Sequence, residues 1–204
     1  MSGPTESSMV SSALVVGIHQ RERDYGQNVA RILSDSGIKI LCIHKGLPQP
    51  ADFDGNPFYY SAYLREIYLQ LHQQIKKEFG LMIDLHTGIN ETGRCADIFC
   101  NNTRLLDTVN DLLKKNTNND FSADEPVQLI RITEKTSRKK NTRHKQPRNI
   151  YPICHSVIPK SVWKANKYLY VGLEIYLENP GKGTEADWLY GSRLINIIRK
   201  AAKQ

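Results

Sequence analysis

The sequence has no apolar run that approaches the roughly 20 residues needed to cross a bilayer. Its first residues, MSGPTESSMVSS, are polar and lack the basic start and apolar stretch of a secretory signal. We therefore expect a cytoplasmic protein with no membrane partner, in which residues 1–12 form a flexible tail. No internal repeat and no linker divides the remainder, so residues 13–204 are predicted to form a single domain.

Cysteine is scarce and shows no metal-binding spacing. The 204 residues contain four cysteines, with no CxxC pair or other zinc-ribbon pattern among them. A structural zinc site built on cysteine is therefore not expected. Because no secretory signal is evident, we expect free thiols in a reducing compartment.

Acidic residues are fewer than basic ones, and the formal net charge is +7. Much of the excess falls in residues 131–148, where Glu134 is the only acid. This stretch has no helical or strand period, so we predict a mobile loop near the mouth of the site. Three alternatives are open for this stretch: a solvated loop without a binding role, a lid over a site for an anionic substrate, or a contact with nucleic acid. Nucleic acid is the less favoured partner, because the stretch offers no aromatic side chain for base stacking.

Hydrophobic residues make up 40% of the chain and charged residues 24%, as in ordinary globular proteins. Apolar, β-branched runs predict strands, and apolar positions at helical spacing predict helices. The predicted strands are 13–18, 38–44, 81–86, 95–101, 127–133 and 168–177, and the predicted helices are 24–36, 58–79, 103–115 and about 185–202. This alternation predicts an α/β fold, a sheet with helices on both faces.

Polar residues that follow two predicted strands suggest a metal site. His19 and Glu22 come directly after the first strand, and His86 ends the strand LMIDLH. In open α/β sheets, ligands bind beyond the carboxyl ends of the strands. Two histidines and one glutamate form a common catalytic zinc set, in which the fourth position stays open. The alternative is that these are ordinary polar residues in loops.

Glu174 is an acid inside the apolar strand YVGLEIYL. Hydrolysis at a zinc site needs a base that takes a proton from the attacking water, and a carboxylate on a neighbouring strand suits that role. The alternative is a core glutamate satisfied by a salt bridge, because an unpaired buried carboxylate is costly.

Three segments, GIHQRE, IDLHTGINETG and VGLEIYL, resemble in this order the signatures of the aspartoacylase and succinylglutamate desuccinylase family, part of the zinc carboxypeptidase superfamily. The resemblance implies a three-layer α/β/α fold with a central mixed sheet. It also implies that His19, Glu22 and His86 bind one zinc ion and that Glu174 is the catalytic glutamate. The family's Gly-Asn between the first two ligands is Gln20-Arg21 here. The C-terminal β-domain of aspartoacylases has no room in this chain.

Further residues are candidates for binding a substrate carboxylate. The family's Asn-Arg pair has Asn56 and Arg65 as its loose counterparts, and Lys164 stands ten positions before Glu174, where the family has a basic residue. Arg94 follows the sequence NETG and would bind a carboxylate with two hydrogen bonds, although a surface role is an equal alternative.

Asp84 shares a strand face with His86, since side chains alternate along a strand. It would orient that histidine from behind the metal, or it would be a buried aspartate paired with an arginine. Together these residues predict a zinc-dependent amide hydrolase that acts on an N-acyl amino acid or short peptide bearing a carboxylate, through zinc-activated water and a glutamate proton shuttle. The alternatives are a basic protein that binds nucleic acid or an acidic partner, and a zinc-binding family member without activity. The oligomeric state is left open.

Overall fold

A computed structural model describes residues 11–48, 53, 56–116, 125–134, 150–179 and 181–204. The strands are β1 (Ser12–Val16), β2 (Lys39–Cys42), β3 (Leu81–Ile89), β4 (Cys95–Cys100), β5 (Val127–Ile132), β6 (Ile153–Cys154) and β7 (Leu169–Leu177). The helices are α1 (Arg23–Ile32), α2 (Pro57–Glu78), α3 (Thr103–Asn116), α4 (Lys160–Trp163) and α5 (Glu185–Ala201).

The strands form one seven-stranded sheet in the order β2-β1-β3-β7-β4-β5-β6. The β4–β7 pair is antiparallel, and every other neighbouring pair is parallel. The predicted α/β class with a central mixed sheet is therefore confirmed. The sheet places β3 and β7 side by side at its centre, so the segments that carry His86 and Glu174 are direct neighbours.

Helices cover both faces of the sheet, and this explains why the central strands are apolar throughout. Leu14 and Val16 of β1 pack in a core with residues of α1, α3 and α5. Ala13 and Val15 point the other way, into a second core with residues of α2 and α4. These two cores give the three layers.

Three elements differ from the sequence-based prediction, and one of them is the single-turn helix α4, which was not predicted. Strand β3 does not end at His86 but continues through Thr87 and Gly88 to Ile89, a stretch predicted as loop. The reason is pairing, because this stretch lies in register with Ile175–Leu177 of β7. The short strand β6 was not predicted, and its two residues pair with the end of β5. No helix of the described residues is long and apolar enough to cross a membrane.

Candidate metal centre

His19 and Glu22 are carried by a short connection between β1 and α1. Strand β1 ends at Val16, and Gly17 turns the chain with a φ of 82°, in the left-handed region that favours glycine. Two backbone hydrogen bonds to Leu47 then hold this connection, from Leu47 N to Ile18 O at 2.8 Å and from Gln20 N to Leu47 O at 2.8 Å. His19 precedes a single turn of 3₁₀ helix, and Glu22 ends that turn with its side chain buried. The two side chains are therefore held on one braced bend.

His86 comes from β3 and meets the other two side chains. One ligand atom from each of His19, Glu22 and His86 can be chosen so that all three lie within 4.8 Å of one another. The Nδ1 atom of His86 lies 2.9 Å from Oε2 of Glu22, and the two histidine rings have centroids 5.5 Å apart. Among the described residues, this is the one such group of metal-binding side chains.

The other nitrogen of His86 faces a buried carboxylate. Nε2 lies 3.1 Å from Oδ2 of Asp84 and 3.2 Å from the hydroxyl of Tyr68, and Asp84 has no exposed surface. The same oxygen accepts hydrogen bonds from the hydroxyls of Tyr68 at 2.6 Å and Tyr170 at 2.9 Å. The partners seen for Asp84 are thus a histidine and two tyrosines. A carboxylate that holds the far nitrogen fixes the ring and its tautomer, and Nδ1 is left to face Glu22.

His19 is held in the complementary way. Its Nδ1 lies 3.1 Å from the hydroxyl of Tyr60, and the two rings are nearly parallel, with centroids 6.4 Å apart. Because Nδ1 is engaged with Tyr60, Nε2 is the nitrogen of His19 that is available to bind a metal. The two histidines thus present different nitrogens to the centre of the group.

Burial and charge set the proton affinities in this group. Burial lowers the pKa of His19 and keeps it neutral, the form that binds a metal. Burial also opposes the charged form of His86, but the adjacent Asp84 and Glu22 carboxylates outweigh burial and raise its pKa well above the usual value. Burial raises the pKa of Glu174 to about 7, against the opposing charge of His86 and with help from the carboxylates of Glu22 and Asp84.

The donor set fits a zinc ion. Zinc prefers histidine nitrogen and carboxylate oxygen at about 2.0 to 2.2 Å, so two donors around one tetrahedral ion lie about 3.3 Å apart. The 2.9 Å separation of His86 and Glu22 and the 4.8 Å limit for the full set bracket this value. Each histidine also has a partner on the nitrogen that faces away from the metal position: Asp84 for His86 and Tyr60 for His19. These residues would therefore hold zinc with small side-chain adjustments.

Glu174 lies beside this group without belonging to it. It is the register partner of His86 on the parallel neighbour β7 and of Asp97 on the antiparallel neighbour β4. A Cβ atom at Gly88 would lie 3.2 Å from Oε1 of Glu174 and 2.6 Å from the ring of Tyr176. The absence of a side chain at Gly88 therefore makes room for both residues.

A cavity of about 350 Å³ opens onto the candidate metal group. His19, His86 and Glu174 line it together with Tyr68 and Tyr170. Its other walls come from α2, β4, β5, β7, and from β6 with the segment that follows it. The residues are Leu64, Phe99, Ile132, Cys154, His155, Ser156, Val157, Ile158, Gly172 and Leu173. The two candidate histidine ligands and the candidate base thus face one shared space.

The four residues predicted to bind a substrate carboxylate do not line this cavity. Arg94 donates from Nε to Glu125 at 3.0 Å and from Nη1 to Asp187 at 2.8 Å, in a different pocket. Lys164 is exposed and lies 3.1 Å from Glu134. The two remaining candidates are Asn56, directly before α2, and Arg65, in its first half.

Asn56 is the N-cap of α2, where its side chain accepts a hydrogen bond from the backbone N–H of Phe58 at 2.9 Å. Arg65 is exposed on the same helix. Binding roles for these residues remain predictions. The basic stretch predicted to form a mobile loop lies, from residue 135 to residue 148, outside the described residues.

Sequence reasoning missed the tyrosines around the histidines. The sequence pattern predicts core packing for Tyr170 and places Tyr60 on the apolar face of a helix, and it assigns no role to Tyr68. Each has a phenol ring that packs and a hydroxyl that must find a partner when buried. Tyr68 and Tyr170 find this partner in Asp84, close to His86. Only the fold brings these residues together, so the sequence pattern does not show the contact.

Comparisons with known proteins give structural matches only. No protein-family model matches this chain, and no curated protein matches it in sequence. Eighteen chains of solved structures match. Murine aminoacylase 3 is 16% identical with a TM-score of 0.44, and the match covers 95% of this chain and 63% of that one. A succinylglutamate desuccinylase from Silicibacter sp. TM1040 is 11% identical with a TM-score of 0.47, covering 95% of this chain and 57% of that one.

A third match is the CwlD amidase from Clostridioides difficile, at 10% identity and a TM-score of 0.42, covering 95% of this chain and 94% of that one. The chain is therefore similar in structure, at low identity, to an aminoacylase, a desuccinylase and an amidase. It spans less than two thirds of the length of the first two. Similarity at this level leaves the function to the geometry of the site.

Proposed function

We propose that this chain is a zinc-dependent hydrolase that cleaves an amide bond of an N-acyl amino acid or a short peptide bearing a carboxylate. One observation carries the proposal: the donor atoms of His19, Glu22 and His86 lie within 4.8 Å of one another, and the two histidines line a cavity that Glu174 also lines. Three protein ligands beside an accessible space are typical of catalytic zinc, because structural sites are closed by a fourth ligand. The net charge of +7 supports an anionic substrate.

Zinc in such a site polarises a carbonyl oxygen and lowers the pKa of water. Glu174 takes the proton of the attacking water as its oxygen bonds to the carbonyl carbon. Glu174 then delivers that proton to the nitrogen as the C–N bond breaks. Asp84 and Tyr60 hold the two histidines in position throughout.

The proposal is tested on protein purified without added metal. Elemental analysis should find one zinc ion per chain, and a panel of N-acyl amino acids and short peptides should contain at least one substrate. A chelator should abolish hydrolysis, and added zinc should restore it. Protein with no metal and with salt-dependent binding to nucleic acid would instead identify a basic binding protein.

Replacing Asp84 with asparagine should weaken zinc binding by about 10- to 100-fold, the usual effect of losing an outer partner of a metal-binding histidine. The carboxylate now accepts from His86 Nε2, and an amide in its place holds the ring less firmly. The measurement is competition with a chelator of known affinity. Asp97→Asn is the matched control, because Asp97 also accepts from a tyrosine, Tyr176, but has no hydrogen bond to a histidine. Equal zinc affinity in both variants would contradict the role given to Asp84.

A further inference from the structure

We infer that the part of the substrate that enters the cavity is an uncharged, apolar group, and that the substrate's carboxylate stays outside it. The inference rests on the proposed function, since it takes this cavity as the place where the substrate lies. It assigns a substrate class that the sequence did not predict.

The walls of the cavity are apolar. Six of the lining side chains are hydrocarbon or aromatic and come from five separate parts of the fold: Leu64, Phe99, Ile132, Val157, Ile158 and Leu173. Burial of apolar surface stabilises a bound group in proportion to the area removed from water. A volume of about 350 Å³ is near the lower end for ligand pockets, and suits a short alkyl chain or one aromatic ring.

Several of the polar groups of the lining already have partners. The hydroxyls of Tyr68 and Tyr170 both donate to Asp84. Nδ1 of His155 lies 3.2 Å from the carbonyl oxygen of Thr133, to which it donates, since a carbonyl only accepts. The Ser156 hydroxyl accepts from the backbone of Ile158 at 3.0 Å. Few hydrogen-bonding groups are therefore left for a second polar group of the substrate.

Charge also disfavours an anion in this space. Neither lysine nor arginine occurs among the cavity-lining residues that the structure describes. The lining instead includes Glu174, and two further carboxylates, those of Glu22 and Asp84, contact the ring of His86. The proposed function assigns the zinc ion to the amide carbonyl, so a carboxylate on the group that enters the cavity would be desolvated without a lysine or arginine to pair with, and this is costly. Of the cations predicted for that task, Arg94 and Lys164 are paired with other carboxylates, and Arg65 is exposed outside the cavity lining.

The test uses hexanamide and adipamic acid, two amides of equal chain length that end in a methyl group and a carboxylate. Binding is followed by methyl NMR of Leu64, Ile132 and Ile158, with zinc-loaded and with metal-free protein. We expect hexanamide to shift these methyl signals and to bind at least about tenfold more tightly than adipamate. Equal or tighter binding of adipamate, or shifts confined to methyl groups outside the cavity, would overturn the inference.

A charge added to the wall should remove most of the preference for hexanamide. Val157 lines the cavity and is 86% exposed, so Val157→Arg adds a cation at the rim without disturbing the core. We expect adipamate to bind about tenfold more tightly to this variant, as for a hydrogen bond to a charged group. Ile150→Arg is the matched control: Ile150 is 90% exposed and does not line the cavity, so the same added charge should change neither affinity. An equal gain in both variants would overturn the inference, because it would show a general charge effect.

These measurements separate the two proposals, because binding is read without turnover. If hydrolysis is absent but hexanamide binds in the cavity more tightly than adipamate, the inference stands and the proposed function fails. If amides are hydrolysed but adipamate binds as well as hexanamide, the proposed function stands and the inference fails.

Discussion

Replacing His86 with alanine should remove most of the bound zinc while the fold persists. His86 supplies one of three donors, and the two that remain, on one short bend, make a weak site for a four-coordinate ion. The fold should survive because β3 keeps its backbone pairing with β1 and β7. Asp84, although buried, keeps the hydroxyls of Tyr68 and Tyr170. Zinc per chain is measured by elemental analysis and the fold by circular dichroism.

The control for this variant is His72→Ala. His72 lies on α2, and its Nδ1 bonds to the hydroxyl of Tyr168 at 2.9 Å, so its loss should leave the zinc content unchanged. His19→Ala offers a second route to the same result, since His19 lies on the bend after β1 and outside the sheet core. Full zinc content in both His86→Ala and His19→Ala would refute the metal centre.

Replacing Glu174 with glutamine should lower kcat by about 10² to 10⁴, the usual contribution of general acid–base catalysis. Glutamine keeps the size of the side chain but cannot take the proton. Zinc content should be unchanged, because Glu174 lies beside the metal group and is not a member of it. KM should change much less, since the ground state is still held by the metal and the cavity walls.

Glu178→Gln is the matched control for this prediction. Glu178 follows the end of β7, is exposed and lines the other pocket, with Arg94, so its neutralisation should leave kcat unchanged. Loss of zinc in Glu174→Gln would make Glu174 a ligand or a support of the ligands. Retention of both zinc and full activity would remove it from the mechanism.

The central strands and the metal group could be predicted from sequence because their signals are local. Residues 13–16, and 81–85 apart from Asp84, are apolar on both sides, as expected for strands covered by helices on both faces. His19, Glu22 and His86 stand out because polar, metal-binding residues follow these apolar runs. The parallel pairing of β1 and β3 then brings the runs together.

The surroundings of the metal group depend on contacts between distant parts of the chain, and single-sequence patterns do not reveal them. Tyr170 reaches Asp84 across 86 positions of sequence. Arg94 is neutralised by Glu125 and by Asp187, which lies 93 positions away. The extension of β3 past His86 depends likewise on its pairing with β7, because Thr87 and Gly88 alone are typical of a loop.

The tie between His86 and Asp84 has a consequence for which ions the site accepts. With Nε2 anchored, the free donor is Nδ1, the ring nitrogen nearer to the strand backbone. Because Nδ1 lies close to the backbone, it moves little when the side-chain torsions fluctuate. The contact between Nε2 and Asp84 restricts both torsions further. Glu22 is buried on its braced bend and has little more freedom. The distance between these two donors is therefore restricted to a narrow range. The site should discriminate between ions by radius as well as by ligand preference.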